Sequence, residues 1–299
     1  MNYTEIKGID NESIYIKVYN IENPKGCIQV IHGMMEHQDR YVEFATRMNK
    51  LGYSVVTSDL RGHGKNAKAQ GYFAKKKGNL LLISDQVTIT NFIQNVLNIN
   101  NIILFGHSMG SIIARNVLIN NSSSYSKVIL SGFPHYQKGT SAALFLAGFI
   151  SIFKTNSGKS KILDNATLGG FQKAVKQRKT DTDWISTSEE NINNYINDPL
   201  CGNSFTISAY KDLYRLVKGL HNKKSTNVVN MPILLINGKD DPVVGQEKGY
   251  NQTIKDLNRQ GFDNLKHVDF ENMRHEILNE NEKDLVYTEI EKFLGENLC

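Results

Sequence analysis

The chain has 299 residues, 40% of them hydrophobic and 22% charged, which excludes a disordered or fibrous protein and provides for a sizeable core. Its 35 basic and 30 acidic residues leave a formal charge of +5, yet apart from Lys75-Lys76-Lys77 and Lys223-Lys224 the cations are scattered, so no nucleic-acid partner is expected. Cys27, Cys201 and Cys299 are odd in number, far apart and outside any C-x-x-C arrangement, which argues against a disulfide framework or a zinc site and for free thiols in a reducing compartment. The start, Met1-Asn2-Tyr3-Thr4-Glu5, has neither the basic nor the apolar region of a secretory signal. The longest apolar stretch, Ala142 to Phe153, falls well short of the roughly 20 residues of a spanning helix. A soluble, cytoplasmic protein is the expectation.

Tyr3 to Ile9 and Ser13 to Tyr19, the second with Ile14, Ile16 and Val18 at period two, predict an antiparallel opening hairpin. Cys27 to Ile31 is denser in apolar residues, as in a strand covered on both faces, and runs into His32-Gly33-Met34-Met35-Glu36-His37. A helix follows from Tyr41 to Leu51, closed by Gly52; then come a strand, Tyr53 to Thr57, and the glycine-rich loop Asp59-Leu60-Arg61-Gly62-His63-Gly64. Helical spacing over Leu80 to Leu97, the strand Ile102 to Phe105, its helix to about Asn120 and the strand Lys127 to Leu130 continue the alternation. Such alternation predicts an α/β fold with a mostly parallel, doubly wound sheet, and ligands at the carboxyl ends of its strands. From about Pro134 to Asn227 no buried strand is legible, and a helical insertion is expected. Strand Pro232 to Ile236, helix Gln246 to Leu257, strand Leu265 to Phe270 and a closing helix carrying Val286, Ile290 and Phe293 complete one domain over 1–299.

The stretch Gly106-His107-Ser108-Met109-Gly110 joins a strand directly to a helix. In a G-x-S-x-G turn the glycines allow a strained elbow that holds the serine out as a nucleophile. An ordinary strand-helix turn is the alternative, and the strand and helix on its two sides favour the elbow. A serine needs a base to take its proton, and the base needs a carboxylate to orient it. His275, in the loop just past the last strand, suits that role; His267, inside the strand, reads as a core or edge histidine. Asp240 and Asp241 share the turn after Ile236, and local chemistry leaves the choice between them open. Backbone donors for an oxyanion would come from Met109, just after the serine, and from His32-Gly33-Met34, where Met34 supplies the second N–H.

Several stretches in order along nearly the whole chain resemble the α/β-hydrolase superfamily, and within it the monoacylglycerol lipase and lysophospholipase-like branch, sometimes grouped with serine aminopeptidase-like hydrolases. They are His32 to His37 with Arg40-Tyr41, Asp59 to Gly64, Gly106 to Gly110, Asp198-Pro199-Leu200-Cys201, Gly238 to Val244, and Arg274-His275-Glu276. The resemblance implies Ser108 as nucleophile, Asp241 as acid and His275 as base, and makes the insertion at about 134–227 a cap over the site. Met35 stands where many such proteins have glycine, which would crowd the acyl side of the site next to Gly33; Asn66 stands where serine is frequent.

An esterase of monoacylglycerols or lysophospholipids, working through an acyl-enzyme without metal or cofactor, is the reading that results. A peptidase or amidase, with Glu189 or Glu190 anchoring an amino group, and a non-catalytic binding protein are its rivals. In the cap, Leu146, Phe149, Ile150 and Phe153 are expected on one helix face and Leu144, Phe145 and Ile152 on another, leaving apolar surface to touch a lipid interface or, through Phe149, the substrate, with plain packing on the core as the alternative.

Overall fold

The computed structural model describes residues 2–221 and 227–296; Lys223-Lys224 and Cys299 lie outside the described residues. Eight strands form one sheet: β1 (Asn2–Lys7), β2 (Ser13–Tyr19), β3 (Gly26–Ile31), β4 (Tyr53–Ser58), β5 (Ile102–His107), β6 (Lys127–Ser131), β7 (Ile233–Gly238) and β8 (Leu265–Phe270). They are arranged in the order β1-β2-β4-β3-β5-β6-β7-β8. The opening hairpin pairs antiparallel with itself and with β4, and every later pairing is parallel.

The central strands are apolar without interruption because both faces are covered, and alternate residues go to opposite cores. Leu104, Leu130 and Leu235 pack on one side with α2 (Gly78–Asn95), α3 (Met109–Asn121) and α8 (Gln246–Gln260). Their neighbours Ile103, Phe105, Ile129, Leu234 and Ile236 pack on the other with Phe44 and Met48 of α1 (Val42–Lys50) and Val286, Ile290 and Phe293 of α9 (Lys283–Gly295). Each such buried side chain stabilises the fold by about 1.5 to 3 kcal/mol over an exposed one. This is the mostly parallel, doubly wound sheet expected from the alternation, with its parallel strands ending on one edge, where the loops gather.

Between β6 and β7 lie four α-helices and no strand among the described residues: α4 (Thr140–Phe153), α5 (Lys161–Ala174), α6 (Glu189–Asn197) and α7 (Ile207–Gly219). Ser188 and Thr206 cap α6 and α7, each accepting from an amide in the first turn. Helix α4 departs from the faces expected for it. Thr140 and Ala147 are buried and Ala143, Leu144, Leu146 and Ile150 pack on the core, whereas Phe145, Phe149, Ile152 and Phe153 are exposed. Spacing alone cannot orient a helix that is apolar nearly all round; here its packing on α7 chooses the small-residue side. No helix among the described residues is long and apolar enough to cross a membrane.

Candidate active site

Ser108 sits between the end of β5 and the start of α3 with φ 51° and ψ −119°, a conformation that costs a non-glycine residue about 1 to 3 kcal/mol. Close packing of α3 on β3 enforces it: a Cβ at Gly110 would lie 2.0 Å from the Ile31 carbonyl oxygen. The elbow expected from the sequence is therefore present, and its strain is stored at the one residue the motif holds out.

The turn after β7 and the loop after β8 meet beside that elbow. His275 Nδ1–H donates to Asp241 Oδ2 at 2.8 Å, and the Val243 amide donates to Asp241 Oδ1 at 2.8 Å, so both carboxylate oxygens are engaged and the side chain is fully buried. Asp240, its neighbour in the turn, is exposed and makes no hydrogen bond to His275 among the described residues. His267 lies elsewhere, donating to Asn237 Oδ1 and stacked on Tyr250. Burial pushes the His275 pKa down, but the charge and hydrogen bond of Asp241, with Glu276 and Glu36 behind them, outweigh it and hold the imidazole above its ordinary 6.5. Its Nε2 is buried and has no hydrogen-bond partner among the described residues, so the ring presents an unoccupied acceptor.

Two histidines fix the loop after β3. The Leu60 amide donates to His32 Nε2 at 2.9 Å, and the Met35 amide donates to His63 Nε2 at 3.3 Å. Both rings are fully buried and their pKa values are pushed down to about 3, largely by burial, so they stay neutral as acceptors. Met35 takes φ 59°, the left-handed region that favours glycine, and its carbonyl accepts from the Gly202 amide and the Tyr195 hydroxyl. The amides of Met34 and Met109 have no hydrogen-bond partner among the described residues. They flank a cavity of about 410 Å³ that Ser108, His275, Gly33 and Met35 also line.

Phe149 is not among the lining residues: it is about half exposed and packs edge-on against Phe153 on the outer face of α4, while Thr140 and Ala143 of the inner face line the cavity. Glu189 and Glu190 are likewise exposed at the start of α6 and outside the lining, with Glu189 paired to Lys179. Three features of the site carried no assigned role in the sequence reading. Trp184 packs its ring 5.2 Å from that of His275, His107 packs from another side at 4.7 Å, and Gly132 leaves the space that the imidazole fills. Glu36, Arg40 and Glu276 form a buried ionic cluster behind the loop. His37, Asp198 and Cys201 bring three metal-ligand types within 4.8 Å of one another, but His37 Nε2–H already donates to Asp198 Oδ2 at 2.7 Å, and burial pushes the thiol pKa well up.

Residues 22–282 match the family described as serine aminopeptidase, S33 (Hydrolase_4). The chain belongs to that family. This S33-family chain is 25% identical to phospholipase YtpA of Bacillus subtilis over 274 residues, 90% of this chain and 95% of that one. It is 26% identical to the monoglyceride lipase of Mus musculus over 239 residues, 76% of this chain and 69% of that one. A highly thermostable carboxyl esterase from Bacillus coagulans superposes with a TM-score of 0.88 at 24% identity, over 98% of this chain and 97% of that one, a likeness of fold. The architecture is thus that of the α/β-hydrolases, and the sequence similarity runs to their monoglyceride lipase and phospholipase members.

Proposed function

We propose that this protein is a serine hydrolase of carboxylic esters, with monoacylglycerols or lysophospholipids as substrates. The observation that carries the reading is the buried His275–Asp241 pair beside the strained Ser108, in a cavity flanked by two unpartnered backbone amides. In this mechanism Ser108 Oγ adds to the ester carbonyl carbon while His275 Nε2 takes its proton, and Asp241 stabilises the resulting imidazolium. The carbonyl electrons move onto oxygen, which the Met34 and Met109 amides stabilise; loss of one such donor typically costs about 3 to 4 kcal/mol. Collapse breaks the bond to the alkoxy oxygen, to which His275 returns the proton, leaving an acyl-serine. Water, deprotonated by His275, then releases the acid and restores the hydroxyl.

The helices between β6 and β7 act as the cap: Thr140, Ala143, Leu213 and Val217 give the cavity apolar walls fit for an acyl chain. The exposed Phe145, Phe149, Ile152 and Phe153 suit a transient contact with a lipid surface. An aminopeptidase activity needs a free carboxylate for the substrate's amino group. Of the three carboxylates lining the cavity, Glu36 and Glu276 are tied to Arg40 and the exposed Asp181 lies 3.7 Å from Arg178, so the ester reading is the better supported. The names borne by the sequence relatives point the same way. Turnover of p-nitrophenyl esters, monoacylglycerols, lysophospholipids and aminoacyl anilides by purified protein is the test. Preference for the anilides, or no turnover of any ester, would defeat the proposal.

A further inference from the structure

The loop from Gly33 to Tyr41 is tied down by more buried charge than its path over the sheet requires. Glu36 is buried, and its Oε1 accepts from both the Gly33 amide and the Tyr41 hydroxyl, the latter at 2.9 Å. Its Oε2 accepts from Arg40 Nη1 at 3.1 Å. Arg40 makes a bidentate pair with Glu276, the residue after His275, and donates to Asn191 on α6 at 3.0 Å; Asn191 donates in turn to Glu276 Oε2 at 2.8 Å. One buried cation therefore faces two buried carboxylates. Breaking such a set is costly, because a charge is left without its partner in a low-dielectric interior.

The consequence is geometric. Gly33 precedes Met34: its N–H is held by Glu36, and its carbonyl, in the same peptide plane as the unpartnered Met34 amide, accepts from His32 Nδ1–H at 2.8 Å. On the far side, the Met35 amide is held by His63 and its carbonyl by Tyr195 and Gly202. Met34 is thus suspended between two fixed residues, Gly33 gripped by Glu36 and His32, and Met35 by His63, Tyr195 and Gly202. We propose that Glu36 is a positioning residue for the oxyanion site: by holding the Gly33 N–H, it aims the Met34 N–H at the substrate oxygen, and Arg40 links that aim to Glu276 beside the base and to Asn191 in the cap. This rests on the ester-hydrolase reading above, in which the Met34 amide is an oxyanion donor.

Glu36→Gln keeps the shape and removes one acceptor oxygen together with the charge that opposes Arg40. An interaction that matters when charge develops on the carbonyl oxygen lowers kcat and leaves ground-state binding alone. A donor displaced by a fraction of an ångström should lose about 10- to 100-fold in kcat/KM on a monoacylglycerol. Two inhibitors read the difference. An alkylboronic acid accepts Ser108 Oγ as a fourth ligand on boron while His275 takes the serine proton, giving a tetrahedral adduct with an oxygen in the donor site. A monoalkylglycerol ether of equal chain length binds without any adduct. The proposal expects boronate affinity to fall in step with kcat/KM while ether affinity stays within about threefold. Because Glu36 is one of the carboxylates that raise the His275 pKa, the midpoint of the kcat/KM pH profile should also move down in the variant.

Tyr41→Phe, which removes only one donor to Glu36 and preserves packing, should show the same pattern at smaller size and serves if Glu36→Gln does not fold. Wild-type-like kcat/KM in Glu36→Gln, or equal loss of boronate and ether binding in both variants, would overturn the positioning role. If instead the wild-type protein hydrolyses no ester, or Ser108→Ala keeps its activity, the ester-hydrolase reading itself fails, and the two failures are told apart.

Discussion

Gly132, in the turn after β6, tests whether the proposed base must sit where the structure puts it. It has φ 54°, and a Cβ built there would lie 2.9 Å from both Cε1 and Nδ1 of His275, against an ordinary contact of 3.4 Å or more. In Gly132→Ala the imidazole would have to retreat by about 0.5 Å to restore van der Waals contact. It has little room to do so, since His107 and Trp184 pack against the same ring and the residue is only 3% exposed. Movement away from Gly132 must also disturb the 2.8 Å bond from Nδ1 to Asp241. Displacement of a reacting group on this scale should lower kcat on p-nitrophenyl butyrate by about 100-fold. The left-handed backbone adds roughly 1 to 2 kcal/mol of strain, a drop in Tm of a few degrees, so loss of activity far exceeds loss of fold. Gly148→Ala, where nothing lies within 4 Å of the new Cβ, is the control. Activity of Gly132→Ala within about threefold of wild type would refute the reasoning, as would a loss fully accounted for by unfolding in thermal melts.

Asp241→Asn should cost about 10⁴-fold in kcat because the imidazole loses its orienting charge, whereas exposed Asp240→Asn should stay near wild type; steady-state kinetics of the pair decide, and the reverse order would contradict the assignment. His275 must be neutral to accept a proton, and its pKa is held above 6.5, so kcat/KM should rise with pH in a single step whose midpoint lies above 6.5. Activity that is flat from about pH 5 to 8 would be incompatible with that base. On the outer face of α4, Phe145→Ser and Phe149→Ser should lower kcat/KM for a long-chain monoacylglycerol by roughly ten-fold or more, at about 0.8 kcal/mol per methylene withdrawn from water, and spare a short soluble ester. An unchanged ratio between the two substrates would leave that face without a role at a lipid surface.

The fold was legible because parallel strands buried on both faces write themselves as dense apolar runs, and the helices between them keep helical spacing. The elbow was legible for a local reason: a strand, a five-residue turn and a helix are contiguous in sequence. His275 and Asp241 could be placed only by their positions after strands, and the choice of Asp241 over Asp240 needed the resemblance to a family. What stayed hidden depends on contacts between distant segments. Glu36 and Arg40 meet Glu276 from the other end of the chain, and Trp184 reaches His275 from the cap. Gly132 looks like any turn glycine until the imaginary Cβ meets an imidazole. The outward side of α4 was assigned differently because Leu144 and Leu146 are as apolar as Phe145 and Phe149, and only packing distinguishes them.

Covalent labelling tests most directly whether Ser108 is the nucleophile. A fluorophosphonate is attacked at phosphorus, fluoride leaves, and the nucleophilic oxygen is stably phosphonylated. Peptide mass spectrometry of labelled protein, with residual esterase activity followed alongside, should find one adduct, on Ser108, with activity lost in proportion to labelling and no adduct in Ser108→Ala. Full inactivation with the label on another residue, or complete labelling of Ser108 with activity retained, would contradict the account.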